Sequence, residues 1–149
     1  MSVRNLEHLF APKSVALIGA SERPGSLGAT LLHNLLAGGF KGEVWPVNPK
    51  YGELAGRRCY PGVAELPSAP ALAVICTPPA GIPAIVRQLG ERGTRAAVVL
   101  SSGVSEGRGR SLRQAMLDAA NPYLLRLLGP NSAGLLAPGL GLNASVASS

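Results

Sequence analysis

Aromatic residues make up only 4% of the 149-residue chain and charged residues only 15%. The first shortage removes the stacking platforms on which single-stranded nucleic acids lie. The second argues against disorder, which goes with low hydrophobicity and high net charge. Cysteine is almost absent as well: Cys59 and Cys76 form no CxxC, and only His8 and His33 could join them. A disulfide framework and a zinc site are therefore not expected, and two reduced thiols suit the cytoplasm. No apolar run approaches the roughly 20 residues of a membrane span. Met1 to Phe10 lacks the apolar centre of a signal peptide. Neither a membrane nor nucleic acid is an expected partner. The 14 Lys and Arg outnumber the 8 Asp and Glu, but they are spread from Arg4 to Arg126, with no basic run longer than Arg57-Arg58. A nucleic-acid surface needs clustering, so this excess fits a small phosphorylated ligand better.

What the chain does hold is apolar side chain and glycine. At 46% hydrophobic it can fill one core, and it is too short for two ordinary domains. Five apolar runs recur, at Ser14 to Gly19, Glu43 to Val47, Leu72 to Thr77, Ala96 to Leu100 and Leu124 to Leu128. Their spacing is about one strand plus one crossover helix. Three intervals carry helical stripes. Leu27, Leu31, Leu32, Leu35 and Leu36 form one that ends at Gly38-Gly39; Ile82, Ile85, Val86 and Leu89 form another that ends near Gly93. Leu112, Ala115, Met116 and Ala119 form the third, stopped by Asn121-Pro122. Residues 51–71 look irregular, with room for a short helix around Val63 to Leu66. Runs that are apolar throughout, such as AAVVL, belong where helices cover both faces of a sheet. The expected fold is α/β: a Rossmann-like, doubly wound, mainly parallel sheet of five or more strands. The expected limits are a lead-in helix over 1–13, the domain over 14–135, and a tail over 136–149 leading into a further domain.

The first run opens into Gly19-Ala20-Ser21-Glu22-Arg23-Pro24-Gly25-Ser26-Leu27-Gly28, with the leucine stripe beginning inside it. Strand, glycine loop and helix in that order place free backbone N–H groups where a phosphate can be received. Gly19 and Gly25 let the backbone approach the ligand, Gly28 lets the helix lie close to the strand, and Ser21 and Ser26 offer hydroxyls. A plain tight turn explains one glycine, but not three with two serines. The spacing is longer than GxGxxG, which argues against a standard dinucleotide site.

At the end of the second run an NAD site places a carboxylate for the ribose hydroxyls, whereas this chain has Asn48-Pro49-Lys50. Asn48 and Lys50 tolerate a phosphorylated ribose, as found in coenzyme A and in NADP; alternatively, Lys50 is an exposed loop lysine. The third run ends in Cys76-Thr77-Pro78-Pro79. The two prolines form a rigid apolar wall suited to a thin group such as pantetheine, or they simply start the next helix. Cys76 reads as a core thiol. Two further small-residue loops, beginning Ser101-Ser102-Gly103 and Gly129-Pro130-Asn131, lie on the ligand side of such a sheet, where either could also be only a turn.

Taken together, GASERPGSLG, NLLAGGFKGEVWPVNPKYGELAG, CYPGVAELP, LAVICTPP and LLGPNSAGLLAPGLGLNAS resemble the N-terminal CoA-binding domain of NDP-forming acyl-CoA synthetases. The final stretch, together with NLLAGGF, resembles most the synthetase-like region of bacterial protein lysine acetyltransferases with a GNAT domain. The resemblance implies coenzyme A or acetyl-CoA as ligand. It places Gly19, Ala20, Ser21, Gly25, Ser26, Leu27 and Gly28 around the phosphates, and Asn48, Pro49 and Lys50 at the adenosine end. Thr77, Pro78 and Pro79 flank pantetheine, Ser102 and Gly103 lie toward the thiol, and Asn131 shapes the crevice floor. Synthetases of this family have GPNC where this chain has Gly129-Pro130-Asn131-Ser132, which points to the acetyltransferase branch. Their phosphorylated histidine lies on a later domain, so no catalytic residue is assigned here and this part alone is expected not to turn over. Further domains of a parent chain are the expected partners, and a homo-oligomer stays open. The rival readings are an NADP-dependent oxidoreductase domain, a sugar-nucleotide module and a stand-alone CoA-binding regulator.

Overall fold

The structure, a computed structural model, describes residues 13–38, 40, 42–100, 114–128, 134–137 and 142–145. Five strands form one parallel sheet: β1 (Ser14–Ile18), β2 (Glu43–Val47), β5 (Leu72–Ile75), β6 (Ala96–Val99) and β7 (Arg126–Leu128), in the order β2-β1-β5-β6-β7. Each run expected to be a strand is one, although four are shorter at an end than the apolar stretch. Leu124, for instance, sits in the left-handed region at φ 56° and is 63% exposed, so the last strand starts two residues later.

Alternation along the strands sends side chains to two separate cores. Val15 and Leu17 of β1, with Leu72 and Val74 of β5, meet Leu31, Leu32 and Leu35 of α1 (Leu27–Ala37). Ala16 and Ile18, with Ala73 and Ile75, meet Ile82, Val86 and Leu89 of α2 (Ile82–Arg92). Met116 and Ala120 of α3 (residues 114–120) join this second core. Strands buried on both faces explain why β5 and β6 carry no polar residue. Gly38 caps α1, and Gly93 caps α2 in the left-handed conformation, where the sequence sets their ends.

Two features depart from expectation. The interval over residues 51–71 does contain a short 3-10 turn, Val63–Glu65, but also a tight hairpin of β3 (Glu53–Leu54) and β4 (Arg57–Arg58). Strands of two residues have no periodicity to read. The stretch expected to be a tail holds most of an antiparallel ribbon, β8 (Gly134–Ala137) with β9 (Leu142–Ser145), and β9 runs against α1. Small residues interrupt its apolar pattern, which hid it. The lead-in helix expected over 1–13 falls, but for Lys13, outside the described residues.

Pro46 lies within β2, at the edge of the sheet. Its carbonyl faces outward and accepts the Tyr60 N–H at 2.9 Å, so its missing donor lies on the outer side and costs the sheet nothing. No helix among the described residues is long and apolar enough to cross a membrane.

Candidate functional site

In a doubly wound sheet the strand order reverses at one point, and the loops leaving the strand ends there diverge and open a crevice. Here the reversal lies between β1 and β5. A crevice of about 480 Å³ occupies that place. Gly19 lies at its base after β1, Asn48, Pro49 and Lys50 border it after β2, and Thr77 and Pro78 border it after β5. Six residues singled out from sequence thus meet around one opening.

The glycine loop is shaped by close backbone contact. Gly19 has φ +100°, a conformation that L side chains rarely adopt, and its N–H bonds the Val47 carbonyl at 2.9 Å. A Cβ built on Gly28 would collide with the Gly19 carbonyl oxygen and come within 3.1 Å of the Ser21 nitrogen. Gly28 therefore lets the start of α1 lie directly on the end of β1, as the sequence suggests. The first amides of a helix have no intrahelical acceptor. Ser26 takes one of them: its Oγ accepts the Ala29 N–H at 3.2 Å and donates to the Arg23 carbonyl at 2.7 Å. The Ser26 hydroxyl, expected to serve a phosphate, is thus spent on capping α1, while Leu27 and Gly28 present the remaining early amides. Gly25, at φ +80°, has open space where a Cβ would stand.

Asn48, on the border of the crevice, is itself held by the protein's own backbone. Its Nδ2 donates to the Ala20 carbonyl at 2.9 Å, and its Oδ1 accepts the Lys50 N–H at 2.9 Å. Its backbone N–H bonds Tyr60 at 2.9 Å. Both ends of the side chain are engaged, and they tie the glycine loop to the turn after β2. The Lys50 side chain is left exposed at the rim. Among the described residues lining the crevice Lys50 is the only charged one, and no carboxylate stands where a ribose diol would be held.

The two prolines have different places. Pro78 lines the crevice, and its carbonyl accepts the Gly81 N–H at 3.2 Å. Pro79 begins the 3-10 turn Pro79–Gly81 that leads into α2. Cys76 also lines the crevice, with its Sγ against the carbonyls of Ile18 and Gly19 at 3.4 and 3.5 Å. Burial pushes this thiol up to about 12, so it stays protonated at neutral pH, as fits a core thiol. Burial also raises the Cys59 thiol.

The opposite wall escaped the sequence reading. Pro61, Gly62 and Val63 form it, with Ile85 and Gln88 of α2. Arg92, at the end of α2, holds this wall by donating to the carbonyls of Val63, Ala64 and Leu66 at 2.9, 3.0 and 3.0 Å. CYPGV was visible as a motif, but its place opposite Pro78 depends on bonds between residues 26 to 29 positions apart. Ser21 lines a second, more open cavity of about 530 Å³ beside Glu22, Leu32 and His33. Its Oγ accepts the Arg23 N–H at 3.0 Å and lies 3.4 Å from the Tyr51 hydroxyl. Ser102, Gly103 and Asn131 lie outside the described residues. No group of three or more His, Cys, Asp or Glu suited to a metal occurs among the described residues.

Known proteins are similar to this chain in sequence and in fold. The chain is 38% identical over 147 residues to the alpha subunit of an ADP-forming acetate–CoA ligase I from Pyrococcus furiosus, covering 95% of this chain and 32% of that one. It is 44% identical over 135 residues to a trans-feruloyl-CoA synthase from an unknown prokaryotic organism, covering 89% of this chain and 19% of that one. Among solved structures, a dinucleotide-forming acetyl-coenzyme A synthetase 1 from Ca. Korarchaeum cryptofilum, in its apo form, superposes with a TM-score of 0.90 at 39% identity. That match covers 96% of this chain and 31% of the other. The chain thus spans a third or less of the length of these relatives. The family described as CoA binding domain matches residues 13–138, and the chain belongs to that family.

Proposed function

We propose that this chain is the coenzyme A-holding module of an ADP-forming acyl-CoA synthetase. One observation carries the reading: among the described residues, the crevice at the sheet reversal joins a glycine loop, a single rim lysine and an apolar wall, and its lining has no carboxylate. In this reading the diphosphate lies on the amides at the start of α1, held by the partial positive charge of the helix end. The adenosine lies between Asn48-Pro49-Lys50 and Pro61-Gly62-Val63. Pantetheine leaves past Thr77 and Pro78. A cavity of about 480 Å³ is within the usual range for such ligands.

The module binds and orients; the chemistry of acyl transfer belongs to the other two thirds or more that the relatives possess. The relatives are ligases and a CoA synthase, which favours the synthetase branch. Gly129-Pro130-Asn131-Ser132 favours the lysine acetyltransferase branch. Calorimetric titration of the chain with coenzyme A, acetyl-CoA and NADPH tests the reading. Coenzyme A and acetyl-CoA should bind and NADPH should not; binding of NADPH alone would refute it.

A further inference from the structure

Resting on that reading, we propose that Tyr51 contacts the ligand, its phenolic hydroxyl and the Ser21 hydroxyl together clasping the diphosphate. Tyr51 leaves the turn after β2, where its N–H bonds the Asn48 carbonyl at 3.3 Å. Its ring packs on the same core as Leu27 and Leu36 of α1, which delivers the hydroxyl to the glycine loop at a fixed place. There it meets Ser21 Oγ at 3.4 Å. This is longer than the usual separation of about 2.8 Å for an O–H···O bond, so the pair satisfies itself poorly. Ser21 Oγ already accepts the Arg23 N–H at 3.0 Å, which leaves its proton as the thing it has to give. The phenol likewise has a proton to donate.

Two hydroxyl donors side by side, each weakly held by the other, suit one anionic oxygen placed to accept from both. A bond of this kind to a charged oxygen is shorter and about twice as strong as one between neutral groups. Lys50 is the chain neighbour of Tyr51 and the early amides of α1 lie on the same loop as Ser21, and these favour an anion against the one nearby carboxylate, Glu22, which is exposed. Asn48 makes the arrangement rigid by bonding both the Ala20 carbonyl and the Lys50 N–H.

Tyr51→Phe removes one oxygen and keeps the ring in its packing. Calorimetry with coenzyme A and with dephospho-CoA, which keeps the diphosphate and lacks the 3′-phosphate, reads the effect on wild type, Tyr51→Phe and Ser21→Ala. Each variant should bind both ligands about tenfold more weakly, the loss of one hydrogen bond to a charged group; Tyr51→Phe should do so with an unchanged unfolding midpoint, whereas Ser21→Ala also loses the acceptor of the Arg23 N–H. Wild-type binding with no loss in Tyr51→Phe overturns the proposal, and so does a loss confined to coenzyme A, which would place Tyr51 at the 3′-phosphate. If wild type binds neither ligand, the coenzyme A reading itself fails.

Discussion

Replacing Gly28 by alanine sets two local effects against each other. Alanine is favoured over glycine in a helix by about 1 kcal/mol, so propensity alone makes Gly28→Ala stabilising. The structure gives the opposite sign. The new Cβ would collide with the Gly19 carbonyl oxygen and stand 3.1 and 3.2 Å from the Ser21 nitrogen and the Gly19 carbonyl carbon. All three are main-chain atoms, so no side-chain rotation relieves them. The loop cannot easily retreat, because Gly19 N–H is bonded to Val47 and the Ala20 carbonyl to Asn48, each at 2.9 Å. Overpacking of this kind costs about 1–3 kcal/mol, and fixed backbone puts the cost at the upper end. The net loss is then about 1–2 kcal/mol, or roughly 2–8 °C in Tm for a chain of this size. Urea and thermal unfolding followed by circular dichroism measure it, and coenzyme A affinity should fall with it as α1 lifts from β1. Gly25→Ala is the control: its Cβ meets nothing within 4 Å, so only the strain of φ +80° remains, about 1 kcal/mol. A Gly28→Ala protein as stable as wild type, or more so, would refute the contact.

Two other outcomes follow from the geometry. Cys76 has a folded-state pKa of about 12 against 9.0 for the free thiol, so in that window the unfolded chain has lost a proton that the folded chain keeps. Its contribution to stability is complete below about pH 9 and is lost between about 9 and 12; unfolding of wild type and Cys76→Ala across that range should show a steeper decline in wild type, and parallel curves would contradict the burial. In the β3–β4 hairpin, Ala55 has φ +52° beside Gly56 at φ +75°, a turn that prefers Asn-Gly. Ala55→Asn should raise stability by about 0.5–1 kcal/mol in denaturant titration, and a loss there would contradict the turn geometry.

The legible parts of this molecule are those set by local chemistry. Strands β1, β2, β5 and β6 declare themselves as short apolar runs because both their faces are covered, and Gly38 and Gly93 end α1 and α2 where the stripes stop. Gly28 is also readable, since a glycine just inside a helix after a strand implies close approach. Ser26, directly before the leucine stripe, has the place of a helix cap, and that signal competes in the sequence with the one for a phosphate-binding hydroxyl. The rest depends on distant partners. Nothing near Asn48 indicates that its amide reaches back 28 residues to Ala20. Nothing near Val63 indicates that Arg92 holds its carbonyl. The β3–β4 hairpin was hidden for a further reason: Ala55 is a poor residue for its turn, so the usual dipeptide signal is missing.

Pro46 carries a consequence for how the molecule behaves in company. A strand on the border of a sheet is an open template on which foreign chain can zip up. At Pro46 that template lacks a donor, and the one acceptor beside it already belongs to Tyr60. Growth by strand addition along this side is therefore blocked one residue short of the strand's end, and the same residue that tolerates the border position keeps the border from spreading.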